Sequence, residues 1–321
     1  MDIEDFNFKT TIVSFYFDIT KLKDVTNKIR PKSFYMEKGR QLLHLPYPMV
    51  LFCDNITINE IKHIREQELG IDIANKLTYY IIKNIIDYDL YKDNWNIIID
   101  NRKSNTHYIG SRNTPSYFLI CMFKINALHL ANQLNYFNTS HFAWIDFGGS
   151  HVMRDFDNAT RKMLDNPLEK IRFCYIHYRS KDELLNMKEW YSGGGKCGIA
   201  GGAFTVQKEY VSKLYNGMFS IFHETLLCGI GHAEEQILTY FNNRYPELCN
   251  YYYGDYYSIL TNYHEPIEDI KSIIKYYIDN AYKCGRNDLA INCEKAIYNV
   301  SLQNKSYTDQ KENETKPIYH L

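Results

Sequence analysis

The sequence predicts an α/β protein in which helices flank a mostly parallel sheet. Short apolar runs alternate along the 321 residues with longer segments of helical spacing, and this alternation is typical of parallel sheets. Three of the apolar runs end at a carboxylate, at Asp18, Asp54 and Asp146. Open α/β sheets bind ligands at the carboxyl ends of their strands. We therefore expect these three carboxylates on one ligand-binding edge.

The amino-terminal part of the chain supplies the first two strands. Residues 11–17 (TIVSFYF) and 48–53 (PMVLFC) are apolar or β-branched almost throughout. Such runs indicate strands that are buried on both faces. Helical spacing follows at 32–45, 58–69 and 73–86, so we predict three helices there.

A long helix and a third strand are predicted in the middle of the chain. The helix covers 113–134, because Thr114 and Pro115 suit a helix amino terminus. The strand FAWID follows at 142–146. Glycines accumulate from 188 to 206 and predict a mobile loop, which leads into a short strand at AFTV.

Helices are predicted again at 207–227 and 233–246, before a strand-and-loop segment at 251–266. Pro266 then begins two helical segments that are interrupted at Gly285, which predicts a helical hairpin.

Three parts of the chain are expected from this pattern. Residues 1–265 form the α/β domain, residues 266–302 form the C-terminal helical hairpin appended to it, and residues 303–321 form a polar tail predicted to be disordered.

Composition excludes several classes of partner. The net charge is −1, from 37 basic and 38 acidic residues, and no local cluster of Lys and Arg predicts binding to nucleic acid or to an anionic membrane. No apolar stretch reaches the roughly 18 to 20 residues of a transmembrane segment. The acidic amino terminus is unlike a signal peptide, and eight cysteines without a CxxC pair suggest reduced thiols. We expect a cytoplasmic protein.

Three short motifs do not carry the functions with which they are usually associated. The DFG at 146–148 lacks the glycine-rich loop and the HRD loop of a protein kinase. The GGGK that ends at Lys196 lacks the first glycine and the Ser or Thr of a phosphate-binding loop. The GGSHV at 148–152 lacks the flanking glycines of a hydrolase nucleophile elbow.

Asp146 is the candidate for metal chemistry. Mg²⁺ and Mn²⁺ prefer oxygen ligands and commonly take only one or two carboxylates together with substrate phosphates. Gly148 and Gly149 follow it and would let the backbone approach a diphosphate. The alternative is that Asp146 only caps a turn.

Seven segments carry a resemblance to a known family. They are TIVSFYFDI, PMVLFCDN, the helix with Lys124, FNTSHFAWIDFGGSHV, IAGGAF, AEEQ and YYYGDYYSILTNYH. In order and spacing they resemble the HtrL/YibB family of GT-A-like glycosyltransferases, over roughly residues 10 to 265. The resemblance implies a GT-A-like fold, that is, a nucleotide-binding sheet with a DxD motif that holds Mn²⁺ or Mg²⁺.

The resemblance assigns the metal ligands. Asp146 matches the first aspartate of DxD, whereas Gly148 stands at its last position. His264 lies where many GT-A enzymes place a metal-binding histidine, and it becomes the second candidate ligand. A hydrogen-bonded histidine with no metal remains the alternative.

The resemblance also assigns the nucleotide contacts. Phe15, Tyr16 and Phe17 match the first nucleotide-binding loop, and Asp54 matches the carboxylate that faces the base. Lys124 would add a positive charge for the diphosphate. The alternatives are a turn for Asp54 and a solvated helix face for Lys124.

The resemblance assigns two further segments to the binding of the sugars and to catalysis. Gly201 and Gly202 match the segment that supports the donor sugar and the acceptor, with Gln236 beside them, unless the glycines mark a β-bulge. Glu234 and Glu235 match an acidic pair near the reacting sugar. Glu235 is the favoured general base and Glu234 the reserve, although both would also stabilise a helix amino terminus.

We therefore expect a glycosyltransferase that uses a nucleotide-sugar donor, with UDP as the first choice, and a carbohydrate or glycolipid acceptor. Two other hypotheses stay open. One is a catalytically silent glycan- or nucleotide-binding protein of the same fold, and the other is a homo-oligomeric assembly factor that uses its helical hairpin.

Overall fold

The computed structural model describes most of the α/β part of the chain and scattered residues after it. The described residues are 8–22, 24, 30–104, 114–177, 179, 181–191, 197–230, 234–264, 278, 281–282, 285–288, 290–292 and 294–295. The chain divides into two units, residues 1–266 and 267–321. The predicted tail, most of the predicted hairpin and the glycines at 193–195 lie outside the described residues.

A seven-stranded sheet forms the centre of the first unit. Its strands are β1 (Thr10–Tyr16), β2 (Met49–Cys53), β3 (Thr78–Ile82), β4 (His141–Ile145), β5 (Ile171–Tyr175), β6 (Ala203–Gln207) and β7 (Cys249–Tyr253). They lie in the order β3-β2-β1-β4-β6-β5-β7. β6 pairs antiparallel with β4 and β5, whereas the other neighbours pair parallel. The predicted α/β class with a mostly parallel sheet is confirmed.

Helices flank the sheet on both faces. They are α1 (Lys32–Leu43), α2 (Ile58–Leu69), α3 (Ile71–Leu77), α4 (Asp89–Ser104), α5 (Pro115–Leu134), α6 (Phe156–Asp165), α7 (Met187–Tyr191), α8 (Lys208–Leu227) and α9 (Glu234–Arg244). Successive strand side chains point to opposite faces, so each strand feeds two cores. Trp144 packs in the core beneath α5, α8 and α9, whereas Ile145 packs in the core beneath α1 and α6.

α5 begins where the sequence predicts. Thr114 caps it by accepting a hydrogen bond from the Tyr117 amide at 3.2 Å, and Pro115 occupies the first turn. The helix ends at Asn135, whose φ of 32° is left-handed, a conformation that asparagine tolerates better than most residues. α5 is buried on nearly all sides, and this burial fixes Lys124 within the protein.

The helix predicted over 73–86 is wrong in its second half. α3 ends at Leu77, and the residues TYYII that follow pair with β2 as the edge strand β3. β-branched and aromatic residues favour a strand when a parallel neighbour offers hydrogen bonds. β5, α4 and α6 are elements that the sequence did not predict. Among the described residues, no helix combines the length and apolarity needed to span a membrane.

Candidate functional site

Polar groups gather at the carboxyl edge of the sheet, as the strand endings predict. Asp18, Asp54 and Asp146 follow β1, β2 and β4, which run parallel and lie side by side. The Asp18 amide donates to Asp54 Oδ2 at 2.8 Å. The edge is therefore a single surface onto which the loops after three strands open.

A buried ammonium group forms the centre of this edge. The Nζ of Lys124 lies 2.5 Å from Glu234 Oε1, 3.0 Å from Asp146 Oδ1 and 3.1 Å from the Gly201 carbonyl oxygen. These three oxygens use all three N–H donors of the lysine. Burial disfavours the charged lysine, but Asp146 and Glu234 outweigh that effect and raise its pKa well above the ordinary value. Lys124 is thus a fixed positive charge.

Asp146 is held in place by two strands. Its amide donates to the Gly202 carbonyl at 2.8 Å, which extends the pairing of β4 with β6, and Trp144 Nε1 donates to Oδ1 at 2.8 Å. Its Oδ2 accepts no hydrogen bond from the described residues. Partial burial raises the pKa of Asp146, whereas Lys124 opposes the rise. Since 40% of the side chain stays exposed, hydration limits this rise.

The packing around position 201 favours glycine. A Cβ there would lie 2.5 Å from Glu234 Oε1 and 3.2 Å from Glu235 Cγ. The absence of a side chain therefore lets the loop before β6 touch the first turn of α9. A Cβ at Gly202 would lie 2.9 Å from Met153 Cε and 3.9 Å from Asp146 Oδ2, so both glycines border the ion cluster.

Glu235 stands beside this cluster in a different environment. Its Oε1 accepts from the Gly201 amide at 2.9 Å, and its Oε2 accepts from the Tyr256 hydroxyl at 2.7 Å. Burial, together with the neighbouring Glu234 carboxylate, raises the pKa of Glu235 to about 7. A carboxylate with a pKa near neutrality can both take up and release a proton at physiological pH.

Glu234 and Cys197 are less suited to chemistry. Glu234 is only 4% exposed and is committed to Lys124. Cys197 Sγ lies 3.7 Å from the Tyr256 hydroxyl, and burial raises the pKa of its thiol to about 12. Since the thiolate is the reactive form of cysteine, the raised pKa disfavours Cys197 as a nucleophile.

The residues predicted to contact the nucleotide divide between the two faces of the sheet. Phe15 is half-buried, and its ring centre lies 5.1 Å from Trp144, beside the ion cluster. Phe17 is buried against Phe123 on the same face. Tyr16 faces the opposite core, where it stacks on Phe147.

Asp54 has a structural role in the turn after β2. Its Oδ1 accepts from the Ile56 amide, the Thr57 amide and the Thr57 hydroxyl at 2.9, 2.8 and 2.9 Å. Its Oδ2 accepts from the Asp18 amide, and the residue is only 5% exposed. These bonds occupy most of the carboxylate's acceptor capacity. The geometry corresponds to the turn that sequence analysis left as the alternative.

His264 does not lie beside Asp146. Its Nε2 is 2.7 Å from the carbonyl oxygen of Asn166, at the end of α6 that leads into β5. α6 begins after the Asp146 turn and runs to the opposite edge of the sheet, so the two proposed metal ligands are separated. Gln236 is buried in α9, and its backbone carbonyl accepts a hydrogen bond from Trp190 Nε1 at 3.3 Å.

Asp146 stands without a cluster of further metal ligands in the described part of the chain. No three His, Cys, Asp or Glu side chains among the described residues converge on a possible metal position. Gly148 provides no side chain, Glu234 is paired with Lys124, and Asp146 offers only Oδ2. One free carboxylate oxygen beside a fixed ammonium is a poor site for a second positive charge.

Two groups at this site were not identified from the sequence. Trp144 orients Asp146, and Tyr256 orients Glu235. Trp144 could have been found, because residues two apart on a strand share a face. Tyr256 could not have been, because its loop position carries no periodic signal.

Comparisons with solved structures give distant similarities. The apo form of mouse xyloside xylosyltransferase 1 aligns at 12% identity and a TM-score of 0.38, over 76% of this chain and 84% of that chain. The 4-diphosphocytidyl-2C-methyl-D-erythritol synthase of Anaerococcus prevotii DSM 20548 aligns at 10% identity and 0.38, over 84% and 94%. A glycosyltransferase involved in glycosylation of the major capsid of PBCV-1 aligns at 12% and 0.33, over 77% and 81%.

Similarities this low leave the fold and the activity to be argued from the chain itself. A search of curated proteins found no match. A profile described as "Bacterial protein of unknown function (HtrL_YibB)" matches residues 8–264. Since that range covers most of the chain, the protein belongs to the HtrL_YibB family.

Proposed function

We propose that the protein is a glycosyltransferase that moves a sugar from a nucleoside diphosphate, UDP in the first instance, to a carbohydrate or glycolipid acceptor. One observation carries the proposal. Glu235, a half-buried carboxylate with a pKa raised to about 7, stands next to a fixed ion cluster at the carboxyl edge of a mostly parallel sheet. That edge is where open α/β folds bind nucleotides.

Glu235 supplies the proton transfer in the proposed reaction. It accepts the proton of an acceptor hydroxyl while that oxygen forms a bond to the anomeric carbon of the donor. The bond between the anomeric carbon and the diphosphate oxygen breaks, and its electron pair leaves with the diphosphate. The Gly201 amide and the Tyr256 hydroxyl hold the carboxylate in one orientation, and such positioning lowers the barrier to transfer.

The ion cluster would orient the donor sugar. Asp146 Oδ2 is an accessible acceptor, and the Gly201 and Gly202 backbone borders the same space. Sugar hydroxyls are donors that match such an acceptor. The half-buried ring of Phe15, which packs on Trp144 beside the cluster, would provide an apolar surface for the base.

A catalytically silent binding protein is the second candidate. The observation that favours it is Gly148, which stands where the motif of the resembled enzymes has its second carboxylate. Such a protein would keep the ligand-binding edge and bind a nucleotide sugar without turning it over.

Turnover of nucleotide sugars distinguishes the two. The purified protein is incubated with a panel of UDP and TDP sugars and mixed glycan acceptors, in EDTA and in Mn²⁺, and release of the nucleoside diphosphate is measured. Glu235→Gln should lower kcat by about a hundredfold or more, because general-base catalysis contributes on that order. Affinity for the nucleoside diphosphate should change little.

Glu209→Gln is the matched control. Glu209 lies in the first turn of α8, as Glu235 lies in the first turn of α9, but it is exposed. It should leave turnover unchanged. Tight binding without release of a nucleoside diphosphate under any condition would establish the silent protein. Full activity of Glu235→Gln would remove this residue from the mechanism.

A further inference from the structure

Arg30 lies at the ligand-binding edge, next to the turn that follows β4. It stands just before α1, which begins after the β1 loop. Its Nη1 is 2.5 Å from His151 Nε2, and its Cζ lies 4.7 Å from the centre of the Phe34 ring. Arg30 forms no ion pair with the acidic side chains that the structure describes. A half-buried guanidinium without a carboxylate partner is a ready binding group for an anion.

His151 connects this guanidinium to the position where the DxD motif is incomplete. Its Nδ1 lies 2.6 Å from the carbonyl oxygen of Gly148. A carbonyl only accepts, so Nδ1 is the donor. Nε2 of the neutral ring is then the acceptor, which fits the N–H that Arg30 directs at it. Arg30 is thereby fixed beside the backbone of the DFG turn.

Two other positive charges near this edge, Lys124 and Lys32, are already paired with carboxylates. Lys124 contacts Asp146, Glu234 and the Gly201 carbonyl. It would have to give up one of these contacts to bind a phosphate. Lys32 Nζ lies 2.6 Å from Glu60 Oε2. Arg30 has five N–H donors, of which His151 takes one.

The diphosphate of a donor nevertheless needs a compensating charge. The cluster of Lys124, Asp146 and Glu234 carries one positive and two negative groups, so it does not attract an anion by itself. Among the described residues, the cluster itself offers a divalent cation one oxygen without a hydrogen bond, Asp146 Oδ2. Guanidinium groups bind phosphate oxygens in pairs through parallel N–H donors.

We propose that Arg30, held by His151 at the Gly148 turn, binds the diphosphate of the donor directly, and that no divalent cation is required for this binding. The inference rests on the proposed use of a nucleoside diphosphate sugar. It assigns the charge compensation of the leaving diphosphate to the chain's own guanidinium, in the place where the resembled enzymes use a metal.

Calorimetric titrations of the full chain in EDTA test this proposal. The probes are inorganic pyrophosphate, UDP and uridine. Arg30→Ala should weaken pyrophosphate and UDP by about tenfold or more, since a hydrogen bond to a charged group contributes on that order. Uridine should bind Arg30→Ala as it binds the unmodified protein, because it has no phosphate. His151→Phe keeps a ring against Phe34 but removes the acceptor, and it should weaken UDP by a smaller factor.

Lys32→Ala provides the control for loss of a nearby positive charge. Lys32 begins α1 two residues after Arg30 but is paired with Glu60, so its loss should change UDP affinity less than about threefold. Circular dichroism of each variant confirms that it is folded. Addition of Mn²⁺ should leave UDP affinity within about threefold of its value in EDTA.

Several results would overturn the inference. They are UDP or pyrophosphate binding only when Mn²⁺ is present, equal loss of affinity in Arg30→Ala and Lys32→Ala, and no binding of either anion to the unmodified protein. The proposed function can fail separately. If UDP binds through Arg30 but no sugar is transferred, the anion site is supported and the proposed transferase activity is refuted. If sugar transfer requires Mn²⁺ and is unchanged in Arg30→Ala, the proposed function is supported and the anion site at Arg30 is refuted.

Discussion

Replacing Lys124 with methionine removes the ammonium at the centre of the ion cluster and keeps most of the side-chain volume. Glu234, which is 4% exposed, then loses its charged partner at 2.5 Å. Removal of one member of a buried ion pair costs about 3 to 5 kcal/mol. Asp146 contributes less, because 40% of its side chain is exposed and water replaces the lysine. We therefore expect Lys124→Met to lower the free energy of unfolding by about 3 kcal/mol at pH 7.

Urea unfolding followed by circular dichroism measures this loss. The deficit should shrink at pH 5, because a lower pH favours the neutral form of a buried carboxylate that has lost its cation. Lys38→Met is the control. Lys38 pairs with Glu37 on the surface, and such exposed pairs contribute less than about 1 kcal/mol. The double variant Lys124→Met/Glu234→Gln should be more stable than the sum of the single effects predicts.

Lys124 would not be stabilising the carboxylates of the cluster if Lys124→Met unfolded within about 1 kcal/mol of the unmodified protein. Strict additivity in the double variant would lead to the same conclusion. A deficit that did not change between pH 7 and pH 5 would instead point to lost packing of the lysine stem. The pH series therefore separates the electrostatic contribution from the steric one.

Three further predictions address the acid, the core and the glycine loop. Glu235 has a pKa of about 7 in the folded state against an ordinary 4.5. Between these two pH values the folded protein holds a proton that the unfolded chain has lost, so its stability falls as the pH rises from 4.5 to about 7. In urea unfolding, Glu235→Gln should therefore raise the free energy of unfolding by about 1 to 2 kcal/mol at pH 8 and leave it unchanged at pH 4. Arg65 is fully buried and donates to three carbonyls; Arg65→Met should lose about 3 kcal/mol or more, whereas exposed Arg40→Met should lose less than about 1, and equal losses would refute this. Gly201→Ala should lower the melting temperature by several degrees, since its Cβ would meet Glu234 at 2.5 Å; an unchanged melting temperature would show that the loop yields.

The fold was predictable where local pattern and tertiary environment agree. The strands near 11–17, 48–53 and 142–146 are apolar on both faces because helices cover both faces of the sheet. β5 was missed because Arg172 interrupts its apolar run. That arginine is buried, and it donates to the carbonyls of Tyr251 and Tyr263 at 3.0 Å. These acceptors lie about 80 to 90 positions along the chain from Arg172, and no local pattern contains that information.

The site was predictable in its members more than in their contacts. A strand ending led to Asp146, and the family resemblance led to Gly201 and the glutamate pair; the structure brings these residues together around Lys124. The sequence-based expectation was that Lys124 contacts the diphosphate, because the residues around a lysine on a helix do not reveal a distant partner. The partner is Glu234, 110 positions along the chain. That long-range contact decides which of the two adjacent glutamates pairs with a lysine and which has a raised pKa.

The packing around Gly148 favours glycine at this position. A Cβ at this position would lie 3.1 Å from Tyr35 Cδ1. Tyr35 packs 5.4 Å from Tyr16, and Tyr16 stacks on Phe147 at 5.3 Å. A carboxylate at 148 would therefore require this aromatic group to move. The same turn presents its carbonyl to His151, which directs Arg30. Gly148 thus belongs to the arrangement that brings a guanidinium to this edge.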